Sequence, residues 1–109
     1  MGLMPKKVKV ATVAEIPEDT GKLVEVEGHE IALFKAGGKV CATTNVCPHQ
    51  GGPLSEGMID GNNVICPWHA WVFDCTTGKS PLNPSVLIDT YPVEVVGADV
   101  FVEIKEVTK

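Results

Sequence analysis

The sequence predicts an all-β domain, built as a small antiparallel sandwich or open barrel. Apolar residues recur at every second position through much of the chain, which is the period of a half-buried strand. Glycine, proline, asparagine and aspartate separate these stretches and mark turns. No long segment shows helical periodicity. At 109 residues, the chain is expected to form one domain.

The N-terminal half is expected to hold four strands joined by short turns. These elements are, in order, a first strand around Val8, Val10 and Val13, a loop over 16–21, a second strand over 23–27, a tight turn over 28–30, a third strand over 31–35 and a fourth over 40–43. The last two strands flank Ala36-Gly37-Gly38-Lys39, and a glycine pair between apolar stretches predicts a hairpin.

The C-terminal half continues the pattern with shorter strands. Its expected elements are two strands within 58–65 around a turn at 60–63, a strand over 71–75, a turn over 76–79, a proline-bearing loop over 80–85, and a final hairpin of strands 93–96 and 100–104. Two loops, one after the fourth strand and one after residue 65, carry the most distinctive side chains of the chain.

Each of these two loops pairs a cysteine with a histidine. The first reads Cys47-Pro48-His49 and the second Cys66-Pro67-Trp68-His69, with 16 residues between them. Thiolates suit iron–sulfur clusters, and imidazole suits iron or zinc. A structural zinc site is the alternative, but zinc fingers usually present a cysteine pair first and a histidine pair later. The interleaved order therefore favours iron, with Cys47, His49, Cys66 and His69 as candidate cofactor and metal ligands.

This pattern resembles the motif of Rieske iron–sulfur proteins. Besides the ligand pairs, the similar segments are 51–57 in the first loop, 71–74 with Thr77-Gly78 after the second, the proline-bearing 80–84, and 91–93. The resemblance covers about residues 8–104 and implies one Rieske domain over 1–109 with a small cluster-binding subdomain. The cluster-binding part is expected over about 44–84, and the base over about 8–43 and 85–105.

The resemblance also implies a two-iron two-sulfur cluster, with one iron on the two cysteines and the other on the two histidines of the motif. High-potential members of the family carry an extra disulfide at positions that are Gly52 and Trp68 here. They also place hydroxyl donors near the cluster at positions that are Trp71 and Phe73 here. We therefore expect a midpoint potential at the low end of the Rieske range, about −150 mV.

The function implied by the resemblance is that of a soluble one-electron carrier, not an enzyme. Such a ferredoxin passes electrons from a flavin-dependent NAD(P)H reductase to a terminal oxygenase such as a ring-hydroxylating dioxygenase. A catalytic oxygenase needs a further iron on two histidines and a carboxylate, and only His29 is left for one. The alternative is the small Rieske subunit of an assimilatory NAD(P)H nitrite reductase, which the same residues resemble.

Composition narrows the expected partners. The net charge of −5, from 14 acidic residues against nine lysines and no arginine, argues against nucleic acid and suits a basic protein partner. No apolar run approaches the roughly 18 residues of a membrane span, and no signal-peptide core is visible. We expect a cytoplasmic monomer with no membrane partner. Cys41 and Cys75 are expected to be buried thiols, and His29 to lie on the surface.

Overall fold

The structure, a computed structural model, describes residues 4–26, 28–36, 39–46, 52–67, 71–81 and 86–106. Within these ranges the strands are β1 (Met4–Thr12), β2 (Lys22–Val26), β3 (His29–Ala36), β4 (Lys39–Thr44), β5 (Met58–Asp60), β6 (Asn63–Ile65), β7 (Val72–Asp74), β8 (Thr90–Tyr91), β9 (Val93–Val96) and β10 (Asp99–Glu106). Two 3-10 helices cover Val13–Glu15 and Leu54–Glu56, so Val13, which was expected in the first strand, lies outside it. The predicted all-β class is confirmed. In this part of the chain, no helix is long and apolar enough to cross a membrane.

The strands form three antiparallel sheets, in the orders β1-β10-β9, β2-β3-β4-β8 and β5-β6-β7. The predicted hairpin between β3 and β4 is confirmed, since Ala36 pairs with Lys39. The final hairpin, β9 to β10, is also confirmed and turns at Gly97, whose φ of 62° lies in the left-handed region that glycine adopts without strain. The two short strands β5 and β6 pair as the sequence predicts.

Strand β3 forms the centre of the molecule because both of its faces are buried. Ile31 and Leu33 are fully buried and belong to an apolar cluster with the β10 side chains Val100, Val102 and Ile104. The alternate residues Ala32 and Phe34 point to the other face and belong to a second cluster, shared with Val64 of β6 and Phe73 of β7. The four-stranded sheet is therefore covered on one face by β1-β10-β9 and on the other by β5-β6-β7.

His29 lies in a strand, and the prediction of a turn at this residue was wrong. The pairing of β2 with β3 continues to Val26 and His29, so β3 begins one residue after Gly28. The His29 ring is half-buried and meets the Tyr91 ring edge-on, with 6.1 Å between the ring centroids. Tyr91 belongs to β8, which pairs with Ala42 and Thr43 of β4. A two-residue strand is too short to show periodicity, so no pattern in the sequence predicts β8.

Cys41 and Cys75 are joined by a disulfide bond, which corrects the expectation that both are thiols. Their predicted burial is confirmed, since their exposed fractions are 8% and 1%. Cys41 lies on β4 and Cys75 in the turn after β7, and both belong to the apolar cluster between these two sheets. Because the sheets pack face to face there, the two Cα atoms lie 6.1 Å apart, within the range that a disulfide spans.

Candidate metal centre

Of the four predicted ligands, Cys66 lies within the described residues, and Cys47, His49 and His69 lie outside them. Trp68, a predicted neighbour of the site, also lies outside them. Among the described residues, no group of three or more metal-binding side chains comes together. The structure shows how the chain is fixed on either side of the two predicted ligand loops, of which the first carries Cys47 and His49 and the second carries Cys66 and His69.

The first ligand loop is closed at its base by Asn45. The main-chain carbonyl of Asn45 accepts a hydrogen bond from the Leu54 amide at 2.8 Å, and its side-chain Oδ1 accepts one from the buried Ser55 amide at 2.8 Å. Just beyond this pair, Val46 and Pro53 form a short antiparallel bridge. Asn45 is only 5% exposed. One buried side chain therefore ties together the two ends of the segment that carries Cys47.

The chain after this loop is fastened to the segment before β2. The Thr20 hydroxyl lies 2.6 Å from the Gly57 carbonyl and 3.1 Å from the Ser55 carbonyl, and it donates to them. The Gly21 amide donates to the Ser55 carbonyl at 2.9 Å. Gly57 is required for close approach, because a Cβ there would collide with the carbonyl oxygen of Ile65. These contacts hold the 3-10 helix Leu54–Glu56 against β2 and β6.

The second ligand loop connects β6 to β7 and begins at Cys66. Its amide donates to the Trp71 carbonyl at 2.6 Å, directly beyond the last strand pair, Ile65 and Val72. The Cys66 side chain is 1% exposed and belongs to the same apolar cluster as Leu54 at the end of the first loop. The bases of the two ligand loops therefore rest on one shared core.

Trp71 and Phe73 occupy the positions where the resemblance places hydroxyl donors in high-potential relatives. Phe73 is fully buried, and Trp71 is half-buried and packs against the same core. Their rings are stacked, with centroids 6.3 Å apart and an interplanar angle of 27°. These two side chains supply apolar surface and aromatic contact beside Cys66, and neither has a hydroxyl group to donate.

The proline-bearing loop after β7 is closed at its base by a short ladder of hydrogen bonds between residues 78–80 and 86–88. The Ile88 amide donates to the Gly78 carbonyl at 2.8 Å, and the Ser80 amide donates to the Val86 carbonyl at 3.2 Å. Gly78 has a φ of 81°, and a Cβ there would collide with the Ile88 carbonyl oxygen, so the turn needs glycine. This ladder fixes the ends of the proline-bearing loop, whose residues 82–85 lie outside the described residues.

Asp74 organises the turn between β7 and this ladder. Its Oδ1 accepts hydrogen bonds from the Thr76 hydroxyl at 2.5 Å and the Thr76 amide at 2.8 Å, with the Thr77 amide at 3.3 Å. The Thr76 hydroxyl, followed by the two amides, lowers the pKa of Asp74 below its usual value, and partial burial opposes this shift. The carboxylate form of Asp74 therefore supports the turn that contains Cys75.

Sequence reasoning did not identify Asn45 or Thr20 as site residues. Asn45 stands two residues before Cys47, and its position next to a ligand pair is the only signal the sequence offers. Thr20 lies 27 residues before that cysteine, and no local pattern connects them. The donor set itself, two thiols and two imidazoles on loops with buried and hydrogen-bonded ends, has the chemistry that a mixed cysteine–histidine iron–sulfur cluster requires.

The chain is similar to known proteins over nearly its whole length. It is 36% identical over 100 residues to the ferredoxin component of the naphthalene 1,2-dioxygenase system of Pseudomonas aeruginosa, covering 91% of this chain and 96% of the relative. A solved complex of reduced oxygenase and oxidized ferredoxin in carbazole 1,9a-dioxygenase contains a chain with a TM-score of 0.76 and 30% identity, covering 87% of this chain and 99% of that one. A putative nitrite reductase small subunit has a TM-score of 0.79 at 24% identity, with 89% and 97% covered, and shows the shared fold alone. The family model described as Rieske [2Fe-2S] domain matches residues 6–92, and the chain belongs to this family.

Proposed function

We propose that this chain is a one-electron carrier that receives electrons from a flavin-dependent NAD(P)H reductase and passes them to a terminal oxygenase, such as a ring-hydroxylating dioxygenase. The similarity to a dioxygenase-system ferredoxin, over 91% of this chain and 96% of the relative, carries the proposal. Because the aligned region covers nearly all of both chains, the similarity extends over almost the whole length of the relative. The solved complex of a similar ferredoxin with its oxygenase supports the choice of partner.

We further propose that Cys47 and Cys66 hold one iron of a two-iron two-sulfur cluster and that His49 and His69 hold the other. Such a cluster accepts and releases one electron at a time. The residues around it fix the ligand loops: Asn45 closes the first, and the amide of Cys66 closes the second. Fixed loop ends let the ligands keep their positions as the charge changes. The cluster-binding part is proposed to span about 44–84, and the base about 8–43 and 85–105.

Metal analysis and electron paramagnetic resonance of the purified protein test the cofactor and its ligands. We expect equal amounts of iron and acid-labile sulfide and a rhombic signal on reduction. Cys47→Ser and His69→Cys should lose or remodel this signal, whereas the matched control His29→Gln should keep it. Zinc in place of iron would overturn the proposal, and an unchanged signal in His69→Cys would overturn the ligand assignment.

Redox titration tests the expected low midpoint potential of about −150 mV. Trp71 and Phe73 offer no hydroxyl group to stabilise the reduced form, and Phe73 is fully buried. A clearly positive midpoint potential would contradict this expectation.

Partner identity is tested by electron transfer in a reconstituted system. A flavin-dependent NAD(P)H reductase and a terminal ring-hydroxylating oxygenase should together form product only when this chain is added. Copurification with a sirohaem protein would instead favour the nitrite reductase alternative. A monomeric state and a cytoplasmic location stay predictions, which sedimentation and cell fractionation test.

A further inference from the structure

The disulfide between Cys41 and Cys75 encloses the whole segment that carries the ligand motif. Cys41 lies six residues before Cys47, and Cys75 lies six residues after His69. The sequence separation of the two bridged residues is 34, and β5, β6 and β7 all lie between them. The bridge therefore limits how far the two ends of the ligand-bearing segment can move apart.

The bridge also joins two sheets across their shared core. Cys41 belongs to β4 of the four-stranded sheet, and Cys75 follows β7 of the three-stranded sheet. The Cys75 amide donates to the Asn62 carbonyl at 2.8 Å, so this turn is fixed to the β5–β6 hairpin as well. Opening the disulfide would leave the contact between the sheets to apolar packing and hydrogen bonds.

A surface groove gives a reductant access to the bridge. The groove has a volume of about 540 Å³ and is lined by both cysteines together with Lys39, Thr76 and Tyr91, among others. Cys41 is the more exposed of the pair, at 8% against 1% for Cys75, so an attacking thiolate reaches Cys41 first. Lys39 is the one charged residue among the described residues that line the groove, and its positive charge attracts an anionic thiolate reagent.

We propose that Cys41 and Cys75 form a reversible thiol–disulfide site, opened by a dithiol, which sets how firmly the chain retains its cluster. A reagent thiolate attacks the Cys41 sulfur, a mixed disulfide forms there, and the Cys75 thiolate leaves and takes up a proton. The second reagent thiol then displaces Cys41 and closes the reagent's own disulfide. Two electrons pass from the dithiol to the bridge, and the two cysteines end as thiols. The effect on cluster retention rests on the proposed function.

Dithiothreitol added anaerobically to the folded, cluster-loaded protein tests the site. Differential alkylation and mass spectrometry report the state of Cys41 and Cys75, and visible circular dichroism follows cluster loss to an iron chelator. We expect both cysteines to become alkylatable and the rate of cluster loss to rise by roughly tenfold or more. The loop-closure entropy of the bridge sets an upper limit of roughly 500-fold, which would be reached if the open segment were fully disordered. Reoxidation with oxidised glutathione, after removal of the dithiothreitol, should restore slow loss.

The double variant Cys41→Ala/Cys75→Ala is the matched control, because it fixes the open state. It should lose its cluster at the fast rate and show no further response to dithiothreitol, which separates bridge opening from direct damage by the reagent. A bridge that stays closed to the dithiol in the folded wild-type protein would overturn the proposal, as would an opened bridge with unchanged cluster loss. The wild-type measurements decide this even if the variant fails to fold. Protein without iron would refute the proposed function, and alkylation would still report whether the bridge opens.

Discussion

Replacing Asn45 by alanine removes the side chain that closes the first ligand loop. Its Oδ1 accepts the buried Ser55 amide at 2.8 Å, and alanine would leave that amide without this partner. A buried amide that loses its partner costs about 1–3 kcal/mol. The second side-chain contact, from Nδ2 to the exposed Glu30 carboxylate at 3.4 Å, is too long and too exposed to add much. We therefore expect the free energy of unfolding to fall by about 1–3 kcal/mol.

Urea unfolding of the cluster-free chain measures this loss directly. For a domain of this size, the expected fall in the free energy of unfolding corresponds to a fall in the melting temperature of roughly 5–15 °C. Asn62→Ala, at an exposed turn residue between β5 and β6, is the matched control and should unfold like the wild-type protein. Asn45→Asp keeps an acceptor for the Ser55 amide and should restore part of the loss.

If Asn45 also positions the proposed ligands, the same variant should alter the properties of the cluster. In the cluster-loaded protein, Asn45→Ala should broaden the resonance of the reduced cluster and shift its midpoint potential, which a distant destabilising change would not do. If Asn45→Ala unfolded like Asn62→Ala and kept an unaltered resonance, the closing role of Asn45 would be refuted.

Three further predictions concern the turn after β7, the close approach at Gly57 and the acidic surface. Because the pKa of Asp74 is lowered in the folded protein, the ionised side chain stabilises the fold above its unfolded pKa of 3.8, and this stabilisation is lost as the pH falls through its folded pKa. The free energy of unfolding of Asp74→Asn should therefore depend less steeply on pH below about pH 4 than that of the wild-type protein. An equal pH dependence of the two proteins would contradict this. Gly57→Ala should lower the free energy of unfolding by about 1–3 kcal/mol through collision with the Ile65 carbonyl, and an unchanged urea midpoint would refute that packing argument. Electron transfer to the oxygenase should slow with added salt because the net charge is −5, whereas salt-independent rates would exclude steering by charge.

The sequence was informative where a structural feature depends on neighbouring residues. The hairpins at Gly61 and Gly97 follow from local turn chemistry, and the strand character of β3 follows from a short apolar run that ends at a glycine pair; the structure confirms them. The pairing of each proposed ligand cysteine with a histidine is visible in a short window of sequence, although three of the four residues lie outside the described ranges. These features need no knowledge of which strands are neighbours.

The features that the sequence did not predict depend on contacts between distant segments. Cys41 and Cys75 meet because two sheets pack on the same core, and nothing in the 34 residues of separation indicates this. Thr20 reaches Gly57 for the same reason, across the edge of β2. The two-residue strand β8 exists only because β4 offers it a partner. Long-range packing decides each of these cases.

The attachments of the ligand-bearing segment explain why opening the disulfide should loosen it without unfolding it. The Thr20 hydroxyl holds the Gly57 carbonyl, and the Ile59 amide donates to the Asp19 carbonyl at 3.2 Å. Neither hydrogen bond involves Cys41 or Cys75, so we expect both bonds, and the burial of Phe73 in the core, to remain when the two cysteines are reduced. Each hydrogen bond contributes only about 0.5–1.5 kcal/mol, so they can open and close locally where a covalent link cannot. We therefore expect the disulfide to limit how often the segment between Cys41 and Cys75 separates from the four-stranded sheet. The hydrogen bonds and the core contacts return the segment to its place after each separation.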